Sequence, residues 1–173
     1  MTDLSDQLQR TCAKLEEAFP DAGLAFAAFR GELTVTMPTS LLLDVCQFLR
    51  DDEALDYSFL TDITAVDHPE RKDRFCLVYH LLSMSRKARV CLKTYLSEDE
   101  QAPSLTPLWP GAGFYEREVY DLFGLGFAGH PDLRRIMMPD DWQGHPLRKD
   151  YPLSTTPVPF SHDWEERGRP TPH

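Results

Sequence analysis

The chain has 173 residues and a formal net charge of −10, and 42% of its residues are hydrophobic. This length suits one domain of about 100–150 residues with an appendage. The acidic balance, with no long run of Lys or Arg, argues against nucleic acid as a partner. No apolar stretch approaches the roughly 18 residues that a bilayer span requires. The acidic, polar N-terminus resembles neither a signal nor a transit peptide, which predicts a location in the cytosol or on the cytosolic side of a larger assembly.

The four cysteines are widely spaced and form no Cys-x-x-Cys pair, which argues against a zinc or iron–sulfur site. Each lies in a stretch with apolar periodicity. A free cysteine behaves as a small hydrophobic residue, so we predict four buried, reduced thiols. The residues concerned are Cys12, Cys46, Cys76 and Cys91.

The first half of the chain predicts helix, hairpin and helix. Residues 3–19 place apolar side chains on one helical face, at Leu4, Leu8, Cys12, Leu15 and Phe19. Two short apolar runs, 24–29 and 33–37, are separated by a connection with a glycine and predict a β-hairpin. A second amphipathic helix is expected over residues 41–50, with Thr39 or Ser40 as its N-cap.

Three strands are expected next. Residues 57–66 are rich in β-branched and aromatic side chains, and Phe59, Thr61, Ile63 and Ala65 alternate against Leu60, Asp62 and Thr64. Residues 75–82 (FCLVYHLL) are almost continuously apolar, which favours a strand in the interior of a sheet. Residues 88–96 follow a short turn and are predicted to pair back on that strand.

Residues 113–124 predict a third helix that ends at Gly124 and Gly126. Four prolines then interrupt the chain, so residues 125–152 should form an extended, looped segment, which we call the C-terminal arm. The Pro-rich tail, residues 153–173, is expected to be disordered alone and ordered only on a partner.

This element order predicts an α+β fold: a two-layer α-β(2)-α-β(3)-α domain with a mixed sheet, helices on one face and an extended C-terminal arm. The predicted boundaries are 1–112 for the α+β domain, 113–152 for helix and arm, and 153–173 for the tail. The strand order does not follow from the sequence.

The segment 113–152 combines aromatic, acidic and basic residues with two Gly-His-Pro steps, and it could be a docking arm or an active site. For a metal site, His130 and His145 would need help from acids such as Asp132 and Asp140. No pair of these groups has the i, i+4 spacing of a helical metal motif. Neither a nucleophile motif nor a dinucleotide-binding glycine motif is present.

Glu116 and Glu118 could form a catalytic carboxylate pair, but two residues apart on a helix they point to different faces. They could complement the helix dipole, or one could be buried against a partner. Exposed-looking apolar residues on the arm, Met137 and Leu147 among them, stand beside the basic pairs at 134–135 and 148–149. That mixture favours a protein interface.

Several motifs together closely resemble one family. They are YEREVYDLFG at 115–124, FAGHPDLRRI at 127–136 and GHPLRKDYP at 144–152, with earlier agreement at 60–67 (LTDITAVD) and 74–83 (RFCLVYHLLS). The family is that of the C-type subunit of the proton-pumping NADH:quinone oxidoreductase, respiratory complex I. The likeness covers roughly residues 57–152.

The resemblance implies a two-layer α+β subunit that has no redox centre and no cofactor of its own. It implies a place beside the D-type subunit, which helps to form the quinone site, and the B-type subunit, which carries the terminal iron–sulfur cluster. Iron–sulfur clusters, FMN and quinone would belong to partner subunits. The complex would hold the chain at the cytoplasmic side of the membrane.

Three alternatives remain open at this point. The chain could be the equivalent subunit of a related membrane-bound hydrogenase. It could also be a stand-alone metal-dependent enzyme that uses His130, Asp132, Asp140 and His145, or a free adaptor protein.

The predicted partner interface consists of polar and aromatic residues of the third helix and the arm. We expect its arginines, Arg117 included, to pair mostly with acids of the arm or of the D-type subunit. The interface residues are Glu116, Arg117, Glu118, Asp121, His130, Asp132, Arg134, Arg135, Asp140, His145, Arg148, Lys149, Asp150 and Tyr151.

Overall fold

A computed structural model describes residues 4–152, so the predicted tail and the first residue of the first predicted helix lie outside the described part. The elements follow the predicted order. They are α1 (Asp6–Ala18), β1 (Ala25–Phe29), β2 (Glu32–Thr36), a 3₁₀ turn (Thr39–Leu41), α2 (Leu42–Asp51), β3 (Phe59–Asp67), β4 (Phe75–Ser83), β5 (Ala88–Leu96), β6 (Gln101–Pro103), α3 (Ala112–Phe123) and β7 (Gly126–Ala128).

Five strands form one mixed sheet in the order β1-β2-β5-β4-β3. The pairing between β2 and β5 is parallel, and the other three pairings are antiparallel. The almost continuously apolar β4 lies between β5 and β3, as its sequence predicted. The α+β fold with a mixed sheet is therefore confirmed.

The β1–β2 hairpin turns through two residues, Arg30 and Gly31, which both have positive φ, 52° and 79°. Positive φ at both positions is the geometry of a type I′ turn, whose twist matches that of the flanking strands. The glycine adopts this conformation without a Cβ penalty. The predicted hairpin is therefore confirmed, with β1 at one edge of the sheet.

One face of the sheet carries the core. Alternate residues of β5, such as Val90 and Leu92, are fully buried against Leu15 of α1 and Leu49 of α2 in a single apolar cluster. The third helix contributes Val119 to the same cluster. Helices therefore cover one face of the sheet, and the period-2 pattern of the strands selects which residues they meet.

The opposite face of the sheet bears no helix of the described chain. Cys76 and Val78 of β4 are buried there among neighbouring strand residues, yet they stay outside the core cluster. Phe59 and Val66 of β3 are 52% and 42% exposed.

Two details of the local predictions were wrong. Neither Thr39 nor Ser40 caps a helix, because α2 follows a 3₁₀ turn and the Thr39 hydroxyl bonds Thr94 Oγ1 at 2.7 Å. The short strands β6 and β7, which pair in parallel, were not among the predicted strands. Each has only three residues, too few to show a period along the sequence.

The cysteines follow the prediction closely. Cys12, Cys46 and Cys76 are buried, Cys91 is half-buried, and all four are free thiols. Burial raises the pKa of each thiol, so the neutral form predominates at neutral pH.

Candidate functional site

Helix α3 presents the residues that hold the C-terminal arm. It ends at Gly124, whose φ of 78° and N–H bond to Tyr120 O form a left-handed C-cap. A Cβ at this glycine would come within 2.6 Å of the His145 ring, so glycine also allows the arm to pack closely. The predicted stop of this helix is confirmed.

Asp121 is the centre of the arm's attachment. Its carboxylate is fully buried and accepts N–H bonds from Ile136, Met137 and Met138 at 3.0, 2.7 and 2.8 Å. The guanidinium of Arg135 donates to the other oxygen at 2.5 Å. Burial alone would raise the pKa of Asp121, but these hydrogen bonds overcome that effect and lower it to about 2.

The same arginine also links the two halves of the arm. Besides Asp121, the Arg135 guanidinium donates to the carbonyls of Trp142 and Gly144, both at 3.1 Å. One cation therefore joins α3 to two separate turns of a segment that has little regular secondary structure.

Arg117 binds backbone carbonyls within this chain, and its pairing with an acid of the D-type subunit stays a prediction. Its guanidinium donates to the carbonyls of Arg134 and Arg135, at 3.1 and 2.9 Å, and among the described residues it forms no ion pair. The loop at 134–135 turns its carbonyls toward α3 because the following N–H groups bind Asp121. The other three arginines do pair with acids: Arg134 with Asp132, Arg135 with Asp121, and Arg148 with Glu98.

A second buried carboxylate, Asp67 at the end of β3, holds the far end of the arm. Arg74 binds it through two parallel bonds of 2.7 Å, and the backbone N–H of Lys149 donates to it at 2.7 Å. These hydrogen bonds, that of Arg74 above all, lower the pKa of Asp67. Arg74 also reaches Asp150 at 2.9 Å.

Arg148 completes this second attachment. Its guanidinium donates to Phe123 O at 2.6 Å, pairs with Glu98, and lies 5.1 Å above the ring of Phe75. On the same ring Arg74 lies at 5.0 Å, so two cations share one aromatic side chain.

The sequence predictions did not identify Asp67, Arg74 or Glu98 as site residues. A signal was present, since Asp67 ends one strand and Arg74 directly precedes the next strand of an antiparallel pair. Opposite charges at such positions face each other across the connection.

The two Gly-His-Pro steps are structurally related. Gly129 and Gly144 both have positive φ, 82° and 79°, and the histidine that follows each one bonds a carbonyl of α3. The nitrogen used differs. His130 Nδ1 accepts from the Asp132 N–H at 3.0 Å, so its Nε2 donates to Gly113 O at 3.1 Å. His145 Nδ1 donates to Asp121 O at 2.9 Å.

These bonds place the histidines at opposite ends of α3, eight residues and about 12 Å apart along the helix. Within residues 4–152, no group of three or more His, Cys, Asp or Glu side chains is arranged to hold a metal ion. The proposed ligands His130, Asp132, Asp140 and His145 are not brought together as a set.

Glu116 and Glu118 have different surroundings. Glu118 is exposed, whereas Glu116 is fully buried and accepts bonds from Ser104 Oγ and the Leu105 N–H, both at 2.6 Å. Burial raises the pKa of Glu116, although these bonds and nearby His130 oppose the rise. Glu116 is thus a carboxylate buried within its own domain, where it orders the β6–α3 connection; a contact of Glu116 with a partner stays a prediction.

The outer surface of the arm is what remains for a partner. Among the predicted interface residues, six keep exposed side chains: Glu118, Asp132, Arg134, Asp140, Lys149 and Asp150. Tyr151 is half-buried and its hydroxyl donates to Gln143 O at 3.3 Å. Apolar side chains stand among them, with exposed fractions of 62% for Met137, 50% for Leu147 and 38% for Trp142.

An apolar groove of about 470 Å³ extends this surface at the other end of α3. Its walls include Phe59, Trp109 and Phe114, and Phe114 is 64% exposed. The predicted partner interface did not include these aromatic residues.

Residues 35–157 match the family described as "Respiratory-chain NADH dehydrogenase, 30 Kd subunit". A C-type subunit of NADH-quinone oxidoreductase from Roseiflexus castenholzii is 51% identical over 150 residues, which cover 86% of each chain. The protein of the same name from Citrifermentans bemidjiense is 51% identical over 145 residues, 83% of this chain and 89% of that one.

A fungal protein is also similar: the mitochondrial NADH-ubiquinone oxidoreductase 30.4 kDa subunit of Neurospora crassa is 45% identical over 87% of this chain and 53% of its own. Among solved structures, a chain of the membrane-bound sulfane sulfur reductase, an archaeal respiratory membrane complex, superposes with a TM-score of 0.73 at 24% identity. The superposition covers 86% of this chain and 87% of that chain, and it establishes a shared fold.

Proposed function

Because the chain belongs to the family of the respiratory-chain NADH dehydrogenase 30 kDa subunit, we propose that it is a subunit without a redox centre of proton-translocating NADH:quinone oxidoreductase. In this proposal the outer surface of the C-terminal arm docks the chain onto the D-type and B-type subunits, near the quinone site. Electron transfer from NADH to quinone is then a property of the whole complex.

One observation carries the proposal. Backbone N–H groups of the arm and the Arg135 guanidinium are turned inward to Asp121 and Asp67, while Met137, Leu147 and Trp142 stay exposed on the outside. A loop that its own domain holds in place loses less conformational entropy when it binds than a flexible loop would. Apolar and aromatic residues on such a loop, surrounded by charges, have the composition of an interface centre and its rim.

The cofactors are assigned in this proposal to other subunits: FMN, iron–sulfur clusters and quinone. Two features of the described residues support this assignment. The four thiols lie on separate elements, and burial disfavours the thiolate form that an iron–sulfur cluster needs. The inward-facing histidines use a ring nitrogen for a backbone carbonyl of α3.

For location, we propose the cytoplasmic side of the membrane, with attachment through the other subunits. The described residues include no helix that is both long and apolar enough to cross a bilayer. The equivalent subunit of a related membrane-bound hydrogenase is the second candidate. Family membership favours the quinone oxidoreductase over it, because the matching family and the relatives at about 50% identity carry the names of NADH dehydrogenase subunits.

The test is native purification of the tagged full-length chain from solubilised membranes, with mass spectrometry of the accompanying subunits. We compare Met137→Asp with a matched control, Met84→Asp, since Met84 is 67% exposed in the turn between β4 and β5. A charge forced into an apolar interface centre should lower recovery of D-type and B-type subunits at least about ten-fold.

The control should recover these subunits as well as the unaltered chain does. Equal recovery with both variants would contradict docking through the arm. Recovery of the unaltered chain alone, without quinone-reductase subunits, would contradict the proposed function and favour an adaptor.

A further inference from the structure

The two edges of the five-stranded sheet are protected to different degrees. At the β3 edge the register shifts between Leu60 and Asp62, and α3 packs against this strand. Natural sheets use irregularities, charges and covering elements in this way to prevent unwanted pairing. The β1 edge has the sequence AFAAF, with no charge and no proline, and only Phe26 is half-buried. No strand within residues 4–152 pairs with the outer side of β1.

The hairpin geometry determines which backbone groups of β1 are available. A two-residue loop makes Phe29 and Glu32 the closing hydrogen-bonded pair, and antiparallel pairs alternate from there. Phe29, Ala27 and Ala25 therefore direct their N–H and C=O groups toward β2. Phe26 and Ala28 direct theirs away from the sheet, where a further strand would lie.

A cavity of about 250 Å³ lies directly beside this edge, between the end of α1 and the start of β1. Phe19, Leu24 and Phe26 form its apolar wall. Phe26 points to the core side of the sheet because it pairs with Val35, which is fully buried. A residue added opposite Phe26 would point to the same side, into the cavity.

The rim of the cavity is acidic. Glu16 and Asp21 both line it, both are exposed, and neither forms an ion pair with another residue in the part of the chain that the structure describes. At the other end of β1, Arg30 lies 5.1 Å above the ring of Phe29. A ligand strand that carries a cation near the cavity would therefore complement this edge electrostatically.

We propose that the β1 edge binds an extended segment of another subunit of the respiratory complex by β-strand addition. The segment places one large apolar side chain in the cavity and a Lys or Arg beside Glu16 and Asp21. Backbone bonds to Phe26 and Ala28 supply affinity, and the cavity supplies specificity. The inference rests on membership of a multisubunit complex and is independent of the contacts proposed for the arm.

A second copy of this chain fits the edge less well. In the symmetric antiparallel pairing in which Phe26 and Ala28 of one copy exchange backbone hydrogen bonds with Ala28 and Phe26 of the other, each Ala28 lies opposite a Phe26. The methyl group of Ala28 would make little apolar contact with the wall formed by Phe19, Leu24 and Phe26.

The first test uses Ala28→Pro in the full-length chain, with Ala28→Ser as the matched control. Proline removes the outward N–H and is tolerated at edge strands, whereas serine keeps the N–H and the small size. Loss of a backbone bond, with a partner carbonyl left unsatisfied, should lower incorporation into the solubilised complex at least about ten-fold relative to the control. Equal incorporation of the two variants would overturn the proposal.

The second test does not depend on the proline variant folding. A photoreactive amino acid at Ala25, which lies on the open face of the sheet, is activated in the purified complex, and the cross-linked peptides are sequenced. The expected product is one extended segment of another subunit, with a large apolar residue within a few positions of a Lys or Arg. A cross-link to residues 153–173, a cross-link to a second copy, or no cross-link would overturn the proposal.

The two proposals can fail separately. If Met137→Asp loses the D-type and B-type subunits while Ala28→Pro is incorporated normally, the arm docks and the edge does not. If the unaltered chain is recovered without any other subunit, both proposals are overturned.

Discussion

The domain core and the C-terminal arm are stabilised by different forces. Leu15, Leu49 and Leu92 are fully buried in one apolar cluster, where any apolar side chain of suitable volume contributes to stability. The arm instead depends on Asp121 and Asp67, two buried carboxylates whose partners are particular N–H groups and guanidinium groups. Hydrogen bonds of this kind need particular atoms at particular distances. Replacing one polar residue, such as Asp121, should therefore free the part of the arm that it holds and leave the sheet intact.

The largest effect is expected from Asp121→Ala. It removes the acceptor of three N–H bonds and leaves Arg135 without its buried acid, which should lower the free energy of arm opening by about 3–5 kcal/mol. Amide hydrogen exchange measures this as faster exchange within residues 134–144, which Asp121 and Arg135 hold, with unchanged protection in β4 and β5.

The control for this variant is Leu49→Ala in α2, which should cost about 2–5 kcal/mol but affect the sheet and the helices together. If Asp121→Ala destabilised β4 as much as it destabilises the arm, the separation between the two regions would be wrong.

A pH titration sharpens the comparison further. The pKa of Asp121 is about 2 in the folded chain, against an ordinary value of 3.8. Its contribution to stability is therefore complete above about pH 4 and is lost as the pH falls toward 2. The NMR amide shifts of Ile136 and Met137 should titrate with a midpoint of about 2.

For Glu116, the change of stability with pH has the opposite sign. Burial raises its pKa, so the carboxylate costs free energy as the pH rises above the ordinary value of 4.5. Because Asp121, and not Glu116, accepts the Ile136 N–H, Glu116→Gln should leave the amide titration at Ile136 unchanged, whereas Asp121→Asn should abolish it.

For Asp121 itself, a titration midpoint near 3.8 in the unaltered chain would show that its hydrogen bonds do not favour the carboxylate.

The smallest change in stability is expected from Arg134→Ala. Arg134 and its partner Asp132 are 70% and 60% exposed, so their ion pair should contribute at most about 0.5 kcal/mol. We nevertheless expect lower yield of assembled complex, because this side chain faces outward from the arm. Urea unfolding and complex yield are the two measurements. Normal yield with lost turnover would contradict an interface role.

Much of the fold was predictable because long elements repeat their pattern. The strand β5 matches the predicted range 88–96, and α3 is shifted by one residue from its prediction. The three-residue strands β6 and β7 were not predictable, because a parallel pair so short forms only where other elements bring two segments together.

For the candidate site, the sequence identified the segment but not the direction in which its side chains point. Asp121, Arg135 and His145 were predicted to face a partner, and the structure turns all three toward α3 or the arm itself. Their role in a partner interface stays a prediction. The far end of the arm is held by Asp67 and Arg74, which lie more than 70 residues away from Asp150 along the chain.

The sequence by itself determined the family, the order of the principal helices and strands, the buried thiols and the presence of a charged, aromatic arm. These follow from local periodicity and from contiguous motifs. Only the tertiary structure decided the strand order, the inward attachment of the arm and the open β1 edge. These depend on contacts between residues far apart in sequence, whose distances and burial no local pattern specifies.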